Sequence, residues 1–180
     1  MKNKILLILI LGLLVSWKID WIKEVEKIIK KIDNTGYLVI DLDTVDNNIS
    51  TKIKIFKTNG ESKIQVIYKF DKYVDITQKY YKNDKQIFAE IIQGISPIIY
   101  KRERKIDEPY GMIIEKITYF KDKNSGVEKF RELPVFGNED FENLKIVLSK
   151  RDFITKETTE IDYSRIEKQY DRIVKTTERY

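Results

Sequence analysis

The chain has 180 residues, of which 42% are hydrophobic and 35% are charged, and this composition is typical of a single globular domain. It contains no cysteine and no histidine, which excludes disulfides, thiolate or imidazole metal sites, and serine-histidine or cysteine-histidine catalysis. The formal net charge is +5, and because acids and bases are mixed along the chain, it does not favour a nucleic-acid partner.

The N-terminus begins with a short basic segment, Lys2 and Lys4, followed by the uncharged and mostly apolar residues 5–17. As a helix this segment would measure roughly 20 Å, less than the ~30 Å hydrocarbon core of a bilayer. Residues 1–17 are therefore predicted to be a signal peptide or an uncleaved membrane anchor. We expect an exported protein (periplasmic, cell-surface or secreted), with membrane contact through residues 1–21 if the leader is retained.

A first amphipathic helix is predicted over residues 18–34. The apolar residues Val25, Ile29 and Ile32 recur at helical spacing, with charged residues between them. Asn34-Thr35-Gly36 supplies a stop signal. The apolar stripe predicts packing against a sheet, and the alternative is that it lies along a membrane surface.

Residues 37–133 are predicted to form an antiparallel sheet of about six to eight strands. Alternating apolar and polar runs are separated by polar turns, and Asn59-Gly60 is the strongest hairpin signal. Two similar turns follow aromatic pairs, at residues 80–85 and 119–126. This pattern predicts a β-meander of linked hairpins.

The predicted sheet has a break in its strand pattern near residue 94 and a polar last strand. Gly94 and Pro97 break the alternation. Residues 127–133 read as a polar final strand, and the charged side chains together with Pro134 would suit a sheet edge. We therefore expect this last strand to have a free edge.

The aromatic pairs next to the turns are candidates for a binding surface, because tyrosine combines an apolar ring with a polar hydroxyl. The alternative is that they pack between strands and helices as core residues. The four candidates are Tyr80, Tyr81, Tyr119 and Phe120.

A weak calcium site is a second candidate. Asp41, Asp43 and Asp46 supply the oxygen ligands that Ca²⁺ prefers, but their spacing does not match an EF-hand loop. The alternative is a solvated polar turn. No cofactor is expected.

The C-terminal part, residues 138–180, is predicted to be mainly helical. Leu144 and Leu148 belong to one apolar stripe, and Ile166, Tyr170 and Ile173 to another. Residues 150–161 are ambiguous, because their threonines weaken a helix and they could instead form a strand. Residues 18–180 would form one α+β domain, an antiparallel β-meander flanked by an N-terminal and a C-terminal amphipathic helix.

Two stretches carry a resemblance, Ile76-Thr77-Gln78-Lys79-Tyr80-Tyr81-Lys82-Asn83-Asp84-Lys85-Gln86-Ile87-Phe88 and Glu115-Lys116-Ile117-Thr118-Tyr119-Phe120-Lys121-Asp122. Over residues 18–133 the chain resembles uncharacterised exported bacterial proteins with a signal segment, a helix and an antiparallel meander. Those proteins usually have Asn-Gly or Asp-Gly in the turn, where this chain has Asn83-Asp84 and Asp122-Lys123. It is also faintly similar to hairpin-repeat proteins of the MORN type, whose glycines it lacks. The resemblance implies a fold and no activity.

Three functions remain open. The first is a non-catalytic exported or membrane-anchored protein that binds a protein partner or small ligand in the cell envelope. The second is a carboxylate-dependent hydrolase of an envelope polymer, since acid/base catalysis by two carboxylates needs no histidine. The candidate carboxylates are Glu90, Glu115, Glu128 and Glu132, of which Glu90 and Glu115 have apolar neighbours that could raise a pKa. The third is a basic adaptor for anionic lipid or nucleic acid, using the basic run 101–105.

Overall fold

The structure is a computed structural model that describes residues 21–46, 49–69, 75–98, 103, 105, 107–136, 141–159 and 162–179. The strands are β1 (Tyr37–Asp46), β2 (Ile49–Lys57), β3 (Glu61–Lys69), β4 (Asp75–Asn83), β5 (Ile87–Pro97), β6 (Gly111–Phe120), β7 (Gly126–Val135) and β8 (Ile154–Thr158). The helices are α1 (residues 21–35), α2 (Phe141–Ser149) and α3 (Tyr163–Thr177). The predicted leader at 1–17 and most of the basic run at 101–105 lie outside the described residues.

The eight strands form one antiparallel sheet in which each strand pairs with its neighbours in sequence, in the order β1 to β8. The predicted α+β fold with an antiparallel β-meander is confirmed. The turn at Asn59-Gly60 connects β2 and β3 as expected. Gly60 has a φ of 87°, a left-handed conformation that favours glycine. The backbone N–H of Thr58 donates to the carbonyl of Glu61 at 2.8 Å.

Helix α1 packs against one face of the sheet with its apolar stripe. Ile32 is buried beside Tyr81 and Tyr119. Two carboxylates of α1 accept hydrogen bonds from these rings, since the Tyr119 hydroxyl donates to Glu26 at 2.8 Å and the Tyr81 hydroxyl donates to Asp33 at 3.1 Å. Packing on the sheet, rather than an apolar stripe left for a membrane, is therefore the arrangement of the described part of this helix.

Helix α3 packs against the opposite face, where its residues Tyr163, Ile166, Tyr170 and Ile173 are buried. Tyr163 meets the ring of Phe120 edge-on at 5.4 Å, and its hydroxyl accepts from the backbone N–H of Ile87 at 2.8 Å. The helix begins at a cap in which Asp162 accepts from the backbone N–H of Arg165. Because the two helices cover opposite faces, the middle of the sheet is buried on both sides.

The C-terminal part differs from the expectation in one respect. Residues 154–158 form strand β8 between α2 and α3, and this strand pairs with β7. Of the two alternatives for residues 150–161, the strand is therefore the one observed, within a C-terminal part that is otherwise helical in α2 and α3. The expectation that 127–133 form a free edge is wrong, because β8 pairs with that strand. Four of the five residues of β8 are exposed, so this strand is fixed chiefly by backbone pairing and offers no apolar alternation to read.

Helix α2 lies on the same sheet face as α1, further along strands β5 to β7. Its residues Leu144 and Leu148 pack with Ile95, Ile113 and Leu133. Within the described residues, no helix combines the length and the apolar character that crossing a bilayer requires.

Candidate functional site

Part of the sheet face that carries α3 is not covered by the described helices. Ile92, Ile114 and Phe130 are partly exposed there and belong to none of the three apolar clusters. Strand pairing and the alternation of side chains place Lys116 and Glu128 on the same face. We call these five residues the open face.

The open face contains a shallow depression of about 190 Å³ over strands β6 and β7. A pocket that encloses a small molecule usually has a volume of roughly 300 Å³ or more. The depression is therefore too small to engulf a ligand. It suits a segment of polymer or polypeptide that lies across the strands.

An ion pair occupies the centre of the open face. The Lys116 ammonium lies 2.5 Å from a carboxylate oxygen of Glu128, and both side chains are partly exposed. Phe130 lies directly opposite Lys116 across the β6–β7 pairing. An aromatic ring, an ammonium and a carboxylate are thus adjacent and accessible, a combination that supports both stacking and hydrogen bonding.

A buried carboxyl group lies next to the open face, under α3. The Glu90 side chain is on the same sheet face, and the residue is only 4% exposed. Gln78 donates to Glu90 at 2.6 Å, and Gln169 of α3 donates to Gln78 at 3.2 Å. Burial raises the pKa of Glu90, while the hydrogen bond from Gln78 and the positive charges of Lys116 and Arg165 oppose this rise.

The Tyr80 hydroxyl lies in the same buried region. Tyr80 pairs with Glu90 across strands β4 and β5, and burial, reinforced by the charge of Glu90, raises the pKa of its phenol. Among the described residues, its hydroxyl oxygen is the buried side-chain atom without a hydrogen-bond partner. The polar groups beneath α3 are therefore not all satisfied, and the unpartnered hydroxyl reduces the stability of this part of the core.

The four candidate carboxylates are divided between the two faces. Glu90, Glu128 and Glu132 share the α3 side, whereas Glu115 points to the α1 side. There Glu115 is held by the Arg131 guanidinium at 2.5 Å and by the Gln93 amide at 2.7 Å. Glu90 and Glu115, which the sequence singled out together, cannot act as one pair because the sheet separates them.

The aromatic candidates do not form a binding surface, and that prediction is wrong for the described fold. Tyr80 and Tyr81 are 0% exposed, Phe120 is 2% exposed and Tyr119 is 3% exposed. Tyr80 and Phe120 are covered by α3, while Tyr81 and Tyr119 are covered by α1. The alternative, that these residues pack in the core, describes them correctly.

The calcium candidates are also not brought together as ligands. Asp41 and Asp43 both contact Lys52, at 3.3 and 3.2 Å, and Asp41 also contacts Lys54 at 3.4 Å. The side chain of Asp46 lies outside what the structure describes. Among the described residues, no group of three acidic side chains is placed to hold a metal ion. The lysines already neutralise the two carboxylates that would have had to bind Ca²⁺.

Gln78, Lys116, Phe130 and Gln169 belong to this site and were not singled out from the sequence. One sequence signal was present for Gln78, which interrupts an otherwise apolar row in β4 and is buried. Lys116 and Phe130 carry no such signal, because their proximity depends on the pairing of β6 with β7.

No protein-family model, curated protein or solved structure matches this chain. No functional role is therefore transferred from another protein. The open face and the neighbouring Glu90 network are the features from which a function can be argued.

Proposed function

We propose that the protein is a non-catalytic component of the cell envelope, exported or anchored by an uncleaved N-terminal segment, that binds a partner or ligand across the open face. The observation that carries this proposal is the accessible group formed by Lys116, Glu128 and Phe130 on a part of the sheet that the described helices leave uncovered. An aromatic ring beside a charge pair provides both an apolar contact and directional bonds to one ligand.

The size of the depression favours an extended ligand over a small molecule. At about 190 Å³ it can accept one side chain or one ring of a larger ligand. The rest of such a ligand would contact the neighbouring apolar residues Ile92 and Ile114 along the sheet. A stretch of envelope polymer or an extended segment of a protein partner meets this requirement.

The arrangement of the faces is compatible with attachment through the N-terminus. The predicted leader precedes α1, and α1 packs on the face opposite to the open face. The Glu26 carboxylate of α1 contacts Lys129 of β7 at 3.1 Å, so this part of the helix lies over β7. Attachment through the N-terminus would therefore be continuous with α1, whose sheet face is opposite to the open face.

Phe130→Ala should weaken binding to envelope material about tenfold, because a buried aromatic contact contributes roughly 1–2 kcal/mol. The full chain in mild detergent would be titrated onto isolated cell-wall polymer and, separately, onto immobilised envelope proteins. The fraction retained after washing gives the apparent affinity.

The control is Val147→Ala, which shortens an exposed side chain of α2 on the opposite face. This variant should bind as the wild type does. Equal retention of the Phe130 and Val147 variants, or no retention of the wild-type chain on either material, would contradict binding through the open face.

One observation favours a second function, hydrolysis of an envelope polymer by two carboxylates. Glu90 and Glu128 both lie opposite Thr118 on its two neighbouring strands, so they are two strand spacings apart, or about 9.6 Å between backbones. Burial keeps Glu90 in its acid form over a wider pH range, while Lys116 provides Glu128 with a counter-ion. An acid kept protonated beside an ionised partner is the division of roles found in inverting glycosidases. Release of soluble fragments during the binding assay, abolished by Glu128→Gln, would favour this function over simple binding.

A further inference from the structure

Strand β1 is an edge of the described sheet and exposes an unusual amount of apolar surface. Of the eight large apolar side chains that are exposed in the described residues, four belong to this strand. They are Tyr37, Leu38, Val39 and Val45, and Val45 is 75% exposed. None of the described strands pairs with the outer side of β1. A long edge strand with free N–H and C=O groups and exposed apolar side chains is a template for pairing with another strand.

The side chains of β1 divide between the two faces in a way that restricts any pairing. Ile40 and Leu42 pack toward α3, as partners of the cluster that this helix covers. Asp41, Asp43 and Val45 alternate with them and point to the α1 side. The pairing with β2 shifts register between Leu38 and Ile40, so Val39 is an extra residue at a β-bulge. The regular part of the strand therefore begins at Ile40.

We propose that β1 pairs antiparallel with β1 of a second copy of this chain, about a two-fold axis at Leu42. Opposing residues in an antiparallel pair must lie on the same face, so the register has to keep α3-side residues opposite α3-side residues. The axis at Leu42 satisfies this rule over the regular part of the strand, from Ile40 to Thr44. It also places the most exposed side chain of the strand, Val45, opposite the exposed Val39 of the second copy.

The charges of this edge favour a second copy over a basic or acidic foreign strand. On the α1 side each copy contributes two carboxylates, Asp41 and Asp43, and two ammonium groups, Lys52 and Lys54, which already form ion pairs at 3.2–3.4 Å. Across the axis Asp41 faces Asp43 of the second copy, and a lysine of β2 flanks each of them. The patch is therefore neutral in the pair, and the lysines offset the opposition of like charges. An added strand with its own net charge would disturb this balance.

The pairing would join two eight-stranded sheets into one continuous sheet and would close after two copies. Because the interface is the same patch on both copies, no unpaired β1 edge remains for further growth. The inference is independent of what the open face binds, since that face lies on β5 to β7, away from β1.

Cysteine cross-linking tests the axis directly, since the chain has no cysteine of its own. With the axis at Leu42, the two copies of this residue oppose each other at about 4.5–5.5 Å between Cα atoms, within the range of a disulfide. Leu42→Cys in the full chain should therefore form a covalent dimer on mild oxidation. Thr44→Cys, on the same strand and face, should not, because its two copies lie about 13 Å apart along the strands.

A second pair of variants tests the interface without a cross-link. Val45→Asp should convert a dimer to a monomer in sedimentation of the full chain in density-matched detergent. Val147→Asp, which places the same charge at an exposed position on α2, should leave the dimer intact. A wild-type chain that sediments as a monomer would overturn the proposal. So would equal cross-linking at positions 42 and 44, or a dimer that dissociates with Val147→Asp but not with Val45→Asp.

Discussion

Glu90→Gln is expected to make the protein more stable than the wild type at pH 7, and the gain should increase with pH. In the folded chain Glu90 is buried, and this burial raises the pKa of its carboxyl group. Glutamine is neutral at every pH and keeps a carbonyl oxygen that can accept the hydrogen bond from Gln78. The substitution therefore removes the cost of a buried charge while preserving the contact.

The direction follows from proton linkage. In the unfolded chain the carboxyl ionises above about pH 4.3, whereas in the folded chain it stays protonated to a higher pH. Below about pH 4.3 both the folded and the unfolded chain hold the proton, so Glu90 does not contribute to the pH dependence of stability. Above it the unfolded state loses its proton first, so the wild-type free energy of unfolding falls by about 1.4 kcal/mol per pH unit until the folded carboxyl ionises.

Denaturant unfolding of the wild type and Glu90→Gln from pH 4 to pH 8 measures this difference. The two free energies should differ by a constant at low pH and diverge as the pH rises. Glu132→Gln removes the same formal charge from an exposed position on β7 and serves as the control. If the wild type and Glu90→Gln give parallel stability curves over the whole range, the carboxyl of Glu90 is not buried as described.

Gly94→Ala is expected to destabilise the fold by about 3 kcal/mol or more, because both strain and backbone overlap oppose a side chain there. Gly94 has a φ of 140°, a conformation that other residues rarely adopt. A Cβ atom at this position would lie 2.1 Å from the carbonyl oxygen of Asp75 and 2.8 Å from the Cα of Ile76. Both atoms belong to the backbone of β4, so the clash can be relieved only by moving that strand.

Gly60→Ala is the matched control for this prediction. Gly60 also has a positive φ, but a Cβ atom there would meet nothing within 4 Å. Gly60→Ala should therefore lower the free energy of unfolding by roughly 1 kcal/mol, from backbone strain alone. The difference between the urea unfolding midpoints of the two variants measures the cost of the Cβ overlap with β4, apart from the cost of the positive φ. Equal losses of stability in the two variants would mean that β4 and β5 are not paired at Gly94.

The helices and hairpins could be predicted because each follows from local periodicity. The apolar residues of α1 and α3 recur at helical spacing, and Asn59-Gly60 encodes its turn through the left-handed conformation of Gly60. The sequence of residues 150–161 does not distinguish strand β8 from a helix, because an exposed strand has no apolar alternation. Gly94 breaks the alternation in the sequence, yet β5 continues through it to Pro97.

The burial of the aromatic pairs depends on long-range packing, which explains why they looked like a surface. Tyr80 and Tyr81 are adjacent on β4 and therefore point to opposite faces. A sheet with one wet face would have exposed one of them. Here both faces are covered by helices that are distant in sequence. Helix α1, whose Asp33 lies 48 residues before Tyr81, covers one face, and α3 covers the other. Adjacent aromatic residues on several strands are the sequence signal for such two-sided burial.

The candidate site was only partly accessible to sequence reasoning for a similar reason. Apolar neighbours correctly suggested a raised pKa for Glu90. The same reasoning selected Glu115, which the pairing of β5 with β6 places on the other face beside Arg131. Register between strands decides which carboxylates meet, and no single strand encodes it.

The location of the folded domain tests the central claim most directly. Intact cells that express the full chain would be treated with an external protease, with and without release of the outer layers of the envelope. Each cell fraction would then be probed for the intact domain, and mass spectrometry would identify its N-terminal residue. The account predicts that the domain is found with the envelope, or outside the cell, and is shielded from the cytoplasm. Recovery of the intact chain, leader included, as a soluble protein of the cytoplasm would contradict it.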